Sequence, residues 1–217
     1  GKRSAQTPAN GANTTPDKTR APRIKPKVVA VPPASRTVTA SAIGKAEAPK
    51  YLYGQDAIDK FKMAPGYKIN LFASEVEFPE LANPVQISFD NKGRLWVAVM
   101  PTYPHWKPGD PKPNDKLIIL EDTNGDGKAD KQTTFADGLQ LPLGFELAPE
   151  GVYLSQGTNF MLLKDTNGDD VADTREILLS GFDDHDTHHA HHAYTTDPSG
   201  AIYMGEGVFL LNDIETS

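Results

Sequence analysis

Residues 183–192 read Asp-Asp-His185-Asp-Thr-His188-His189-Ala-His191-His192. Five of the six histidines of this 217-residue chain fall within eight positions, with three carboxylates beside them. Imidazole changes charge near neutral pH and takes a proton from a hydroxyl, the general-base role. It is equally a transition-metal ligand, so His185, His188 and one of the later pair are candidates to bind a metal, with Asp183, Asp184 or Asp186 as direct or outer partners. The plain alternative is a polar loop whose imidazoles face water or satisfy buried backbone groups. If the segment is extended throughout, His189 and His191 share one face and His188 and His192 the other.

A second set of candidates is made of oxygen ligands. Asp122-Thr-Asn-Gly-Asp126-Gly-Lys-Ala-Asp130 returns 43 residues later as Asp165-Thr-Asn-Gly-Asp169-Asp-Val-Ala-Asp173. Asp122, Asn124, Asp126, the Lys128 carbonyl and Asp130 have the alternate spacing of a calcium loop, with Gly127 at the sharp bend and Thr133 where a bidentate carboxylate belongs. The later copy offers Asp165, Asn167, Asp169, the Val171 carbonyl, Asp173 and Glu176, but Asp170 replaces the bend glycine. Both read either as calcium staples at hairpin tips, structural in role, or as Asx-turns that need no metal.

The elements that must position these residues are short strands. The two copies align without a gap through Gly138 and Gly181, with 8 of 17 positions identical. Each follows an apolar run of strand length, Leu117-Ile118-Ile119-Leu120 and Phe160-Met161-Leu162-Leu163. Each precedes a mixed run and a glycine. A second element recurs at Asp90-Asn-Lys-Gly93-Arg-Leu-Trp96-Val97, Pro149-Glu-Gly151-Val-Tyr153-Leu154 and Asp197-Pro-Ser-Gly200-Ala-Ile-Tyr203-Met204, where a turn opens a strand carrying an aromatic residue. A period in the forties among short strands predicts an all-β fold, a β-propeller of the six-bladed type, of which this chain covers about three blades.

Composition divides the chain. Residues 1–50 hold 10 Lys/Arg against Asp17 and Glu47, with 7 prolines, which predicts a disordered basic leader. The remainder, 51–217, has 12 Lys/Arg against 27 Asp/Glu, so a nucleic-acid partner is not expected for it. No run of about 18 apolar residues is present, so no transmembrane segment is expected. Cysteine is absent, which removes disulfides and thiolate metal sites. A start at Gly1, without methionine, fits a mature chain whose signal peptide was removed, and a periplasmic or extracellular location. Six blades of about 45 residues exceed the length at hand, so the remaining blades are expected from more of the same chain or from a second chain, and an open array exposes a hydrophobic flank.

The stretch Pro65-Gly-Tyr-Lys-Ile-Asn-Leu-Phe-Ala-Ser74, then Pro84-Val-Gln-Ile-Ser-Phe-Asp90-Asn-Lys-Gly-Arg-Leu-Trp-Val97, the acidic turns, and the block from His185 to Phe209 resemble the large propeller proteins of Planctomycetes and Verrucomicrobia labelled membrane-bound dehydrogenases. That family in turn is similar to the soluble quinoprotein glucose/sorbosone dehydrogenases, six-bladed propellers using pyrroloquinoline quinone and calcium. The resemblance implies a catalytic base nine residues before the turn at Pro198, which is His189, with His188, His192 and Asp186 orienting it or lining the channel. Glu206 stands where those enzymes carry aspartate, and the chain has no haem-attachment motif.

Three functions follow as expectations. The first is an exported quinoprotein-type dehydrogenase oxidising a sugar or other alcohol. The second is a calcium-stapled propeller that binds carbohydrate or protein without chemistry, for which Tyr103, His105 and Trp106 would form an aromatic platform. The third is a metal-dependent hydrolase or lactonase, which requires histidines and acids to converge on one ion.

Overall fold

The computed structural model describes residues 52–103 and 107–217. The expected leader, residues 1–50, and His105 and Trp106 of the expected aromatic platform lie outside the described residues. After a five-residue helix, α1 (Gly54–Ile58), the chain is built of antiparallel strands. β1 (Pro84–Phe89), β2 (Leu95–Val99), β3 (Asp115–Glu121) and β4 (Lys131–Leu139) form a four-stranded meander. β5 (Phe145–Ala148), β6 (Gly151–Gln156), β7 (Asn159–Lys164) and β8 (Thr174–Ser180) form the next one. β9 (His192–Thr196) and β10 (Ile202–Gly205) make a hairpin, and the short β11 (Glu215–Thr216) returns to pair with β8. The third unit therefore shows two strands rather than four.

Both repeated apolar runs are strands because each is buried on both faces, which removes the usual polar alternation. Leu117 and Ile119 of β3 join Trp96, Ala98, Phe145, Leu154, Met161 and Leu163 in a core shared by the two sheets. Ile118 and Leu120 point the other way and pack with Val97, Val99, Phe72, Phe78 and Leu81. In β7, Met161 and Leu163 face the first sheet while Phe160 packs with Phe182 and Tyr194 towards the hairpin. On the face covered by Phe72 to Leu81, β1 leaves Val85, Ile87 and Phe89 exposed.

Successive units dock by recurring contacts. The side-chain amide of Gln86 in β1 donates to the Phe145 carbonyl (2.7 Å) and accepts from the Phe145 N–H (2.8 Å), a substitute for a strand ladder between two first strands. Thr196 of β9 donates to Glu146 of β5 at 3.0 Å, continuing the series. At the other end, the Ala172 N–H in the second acidic turn donates to the Phe135 carbonyl of β4. The equivalent Ala129 N–H of the first turn donates to the Phe72 carbonyl, also at 2.8 Å. Residue 72 thus holds, before the first sheet, the place that β4 holds before the second.

Candidate functional site

Antiparallel meanders send alternate connections to opposite ends of the sheets. The acidic turns, 122–130 and 165–173, join β3 to β4 and β7 to β8, at the same end as the β1–β2 and β9–β10 turns. The connections β2–β3, β4–β5 and β8–β9, the last carrying the histidines, lie at the other end. The candidate calcium turns and the histidine loop are therefore separated by the length of the strands. Among the described residues, four of the five non-glycine positions with positive φ, Asn83, Leu141, Ala193 and Phe209, sit at the histidine end. Such strain costs on the order of 1–3 kcal/mol per residue and concentrates at functional sites.

The histidines are not an alternating strand. Residues 185–191 form bends and turns, and β9 starts only at His192, so the extended-chain pattern of two faces does not arise. Asp186 is the hub. One carboxylate oxygen lies 3.5 Å from His188 Nδ1 and the other 2.9 Å from His189 Nδ1, the latter out of line for a hydrogen bond. His188 Nε2 shares a hydrogen bond with the Tyr103 hydroxyl of the β2–β3 loop, the rings meeting edge-on at 5.2 Å. The ring of His189 packs directly over Gly207, where a Cβ would collide with it, and the Gly207 N–H donates to the His189 carbonyl at 2.8 Å. His192 Nδ1 donates to the Ala190 carbonyl at 2.7 Å, which fixes the tautomer and leaves Nε2 as the acceptor in the neutral ring. Asp186, His188 and His189 are thus gathered in one loop, and His192 opens the strand that follows it.

His191 has another fate. It is buried, its ring stacked on Phe182 at 4.0 Å, with Nδ1 2.5 Å from the Tyr194 hydroxyl. Burial lowers its pKa to about 4, against the opposing influence of the Gly157 and Asn159 backbone. His185 is exposed and its Nδ1 lies 2.7 Å from Asp183. That hydrogen bond raises the His185 pKa, while donors from the His185 and Leu211 backbone hold Asp183 down at about 2.

Beside this loop is a cavity of about 360 Å³ lined by Thr102, Tyr103, Asp115, Gln140, Leu141, Asp184, His185 and Thr187, with Pro108 and Pro113. Asp115 is buried at the base of β3. Its oxygens accept from Thr102 Oγ1 (2.5 Å), the Thr102 N–H (3.3 Å) and the Leu141 N–H (3.1 Å), so it holds the strained turn at Leu141 in place. Burial, and then the charge of Asp183, raise the pKa of Asp184. An acid opening an apolar strand resembles an ordinary solvated strand end, and sequence pattern passes over Asp115 for that reason.

The acidic turns hold themselves closed. Asp122 accepts from the N–H groups of Gly125 (2.7 Å), Gly127 (2.8 Å) and Asp126 (3.2 Å); Asp165 accepts from those of Gly168, Asp170 and Asp169. Asn124 and Asp126 accept from the N–H two residues on, as do Asn167 and Asp169. Asp130 and Asp173 take the N–H and hydroxyl of Thr123 and Thr166. The N–H groups of Lys128 and Val171 help to close the turns, and Glu176, expected as a bidentate ligand, lies in β8 with Lys164 Nζ 3.5 Å away. Among the described residues no three His, Asp or Glu side chains converge as a metal-holding group, neither here nor in the histidine loop.

Pyrroloquinoline quinone carries three carboxylates and requires cations. Among the described residues the cavity offers two carboxylates, Asp115 and Asp184, and no Lys or Arg, so this lining does not fit that quinone.

No curated protein and no solved structure shows significant similarity to the chain. Among the described residues no helix is long and apolar enough to cross a membrane. A family model described as a domain of unknown function, DUF7133, matches residues 54–216, which takes in every strand of the described residues. The chain belongs to the DUF7133 family.

Proposed function

We propose that this chain is the repeating part of a β-propeller oxidoreductase acting on the hydroxyl group of a small sugar or other alcohol, with the histidine loop as its proton acceptor. The propeller reading is supported by the 43-residue period, by the side-by-side first strands β1, β5 and β9, and by the repeated docking of each acidic turn on the unit before it. The observation that carries the chemistry is Asp186, whose carboxylate lies beside Nδ1 of both His188 and His189. A carboxylate at Nδ1 favours the tautomer with its proton there and leaves Nε2 free to accept one. In this reading His189 takes the substrate hydroxyl proton, Asp186 stabilises the imidazolium, and His188 with Tyr103 braces the loop. His192, with its tautomer already fixed by Ala190, lines the site. The grip on a hydride acceptor belongs to residues other than those lining the described cavity. A periplasmic or extracellular location goes with the same reading.

The test is reduction of an artificial electron-accepting dye by a panel of sugars and alcohols, using the longest natural form of the protein. Substrate-dependent reduction that Asp186→Asn lowers without lowering substrate binding supports the proposal. Binding of sugars with no reduction of any acceptor sinks it and leaves a second reading, a sugar-binding propeller, which the hydroxyl and amide groups of Thr102, Gln140 and Thr187 in the cavity favour.

A further inference from the structure

The cavity between the β2–β3 loop and the histidine loop has an uneven charge. Among the described residues its lining includes two carboxylates and no Lys or Arg. Asp115 is 1% exposed, and the partners of its oxygens are hydroxyl and backbone donors. Among the described lining residues His185 is the one basic side chain, and its Nδ1 lies 2.7 Å from Asp183. Asp184 is left with the negative charge of Asp183 and a share of His185 as its electrostatic neighbours, in a half-buried setting. Residues 51–217 as a whole carry 12 Lys/Arg against 27 Asp/Glu, so the surrounding field also draws cations. Around these acids stand Thr102, Gln140, Thr187 and Tyr103, which exchange hydrogen bonds with hydroxyl groups, and Pro108, Pro113 and Leu141, which cover the apolar face of a ring or short chain.

We propose that this cavity selects a hydroxylated ligand bearing a protonated amine, an amino sugar or amino alcohol, whose ammonium sits against Asp184, and that it rejects sugar acids. The inference rests on the reading of this end of the sheets as the substrate site and names the substrate class of that site. The ammonium relieves the crowding of Asp183 and Asp184, and the hydroxyls of the ligand exchange donors and acceptors with Thr102, Gln140 and Thr187. A carboxylate placed there instead meets two acids without a free cation.

The experiment is calorimetric titration of the longest natural form of the protein with glucosamine, glucose and glucuronate at neutral pH and low salt, without any electron acceptor. Glucosamine is expected to bind about tenfold tighter than glucose, which corresponds to one ion pair partly shielded from water, with glucuronate weakest. Asp184→Asn, which keeps the shape of the side chain, is expected to bring glucosamine to within about threefold of glucose. Glucuronate binding as well as glucosamine, no binding of any of the three, or an unchanged ranking in Asp184→Asn overturns the proposal. The wild-type ranking stands alone if the variant fails to fold. Because binding is read without turnover, the amine preference with no oxidation of bound ligand refutes the oxidoreductase reading and leaves the ligand class. Oxidation of neutral sugars with no amine preference does the reverse.

Discussion

Arg94 Nη1 lies 2.7 Å from Asp170 Oδ2, joining the β1–β2 turn of one sheet to the acidic turn of the next. The same guanidinium donates through Nε to Asp90 at 2.8 Å, and Trp96 Nε1 donates to the same Asp90 oxygen. Asp170 raises the pKa of Arg94 and keeps it charged; burial pushes Asp90 up, but its Trp96 and Arg94 donors outweigh that and hold it down. Asp170 also bends with φ 65°, where the first turn has Gly127. The aspartate that spoils a calcium loop is thus a strut between sheets.

Arg94→Ala is expected to cost about 2–3 kcal/mol, since it leaves Asp90 and Asp170 facing each other partly shielded from water. Asp170→Gly gains an easier backbone as it loses the pair, so it is expected to lie within about 1 kcal/mol of the native chain. Urea unfolding of both variants checks the order. Equal losses would remove the strut from the account.

Closed acidic turns make a prediction about calcium. Their carboxylates are already occupied by backbone N–H groups, so removing divalent ions with a chelator is expected to shift Tm by less than about 2 °C, which is no more than about 1 kcal/mol in a domain this size. A larger fall, reversed by calcium and not magnesium, would show that the oxygens of Asp122, Asp126 and Asp130 turn to an ion in solution.

Much of this was legible in sequence and some was not. The runs 117–120 and 160–163 announce strands because burial on both faces leaves no polar position, and the 43-residue period matches the spacing of β3 and β7. The histidine cluster marks out one loop, yet residue type alone gives no means of separating His191, which stacks in the core, from its neighbours at the surface. Tyr103 sits 85 positions from His188, and Asp115 and Leu141 are 26 apart, so their pairings depend on how the sheets stack rather than on any local pattern.

The buried His191 links stability to acid. Its folded pKa, about 4, lies below the unfolded value near 6.5, so the unfolded chain binds a proton that the folded chain refuses. Stability from this group is therefore complete above about pH 6.5 and falls as pH drops towards 4, by a total on the order of 3 kcal/mol. His191→Phe is expected to flatten the stability curve across that window. Comparable slopes in the two proteins would place the acid sensitivity elsewhere.

Gly207 is a packing requirement of the site. Any Cβ there collides with the ring of His189, while the main-chain bond from Gly207 to His189 ties the two loops together. Gly207→Ala is expected to lower kcat by about a hundredfold through displacement of the imidazole, with a much smaller effect on Tm. Full activity in this variant would mean that the position of His189 is not critical.

The most direct test of the account compares single-turnover oxidation by the native protein, His189→Ala and His192→Ala, each shown by circular dichroism to be folded. Loss of roughly 10²–10⁴-fold in His189→Ala, with a clearly smaller loss in His192→Ala, is the predicted result. Equal rates in the native protein and His189→Ala would contradict the assignment of the base to the pair of His189 and Asp186.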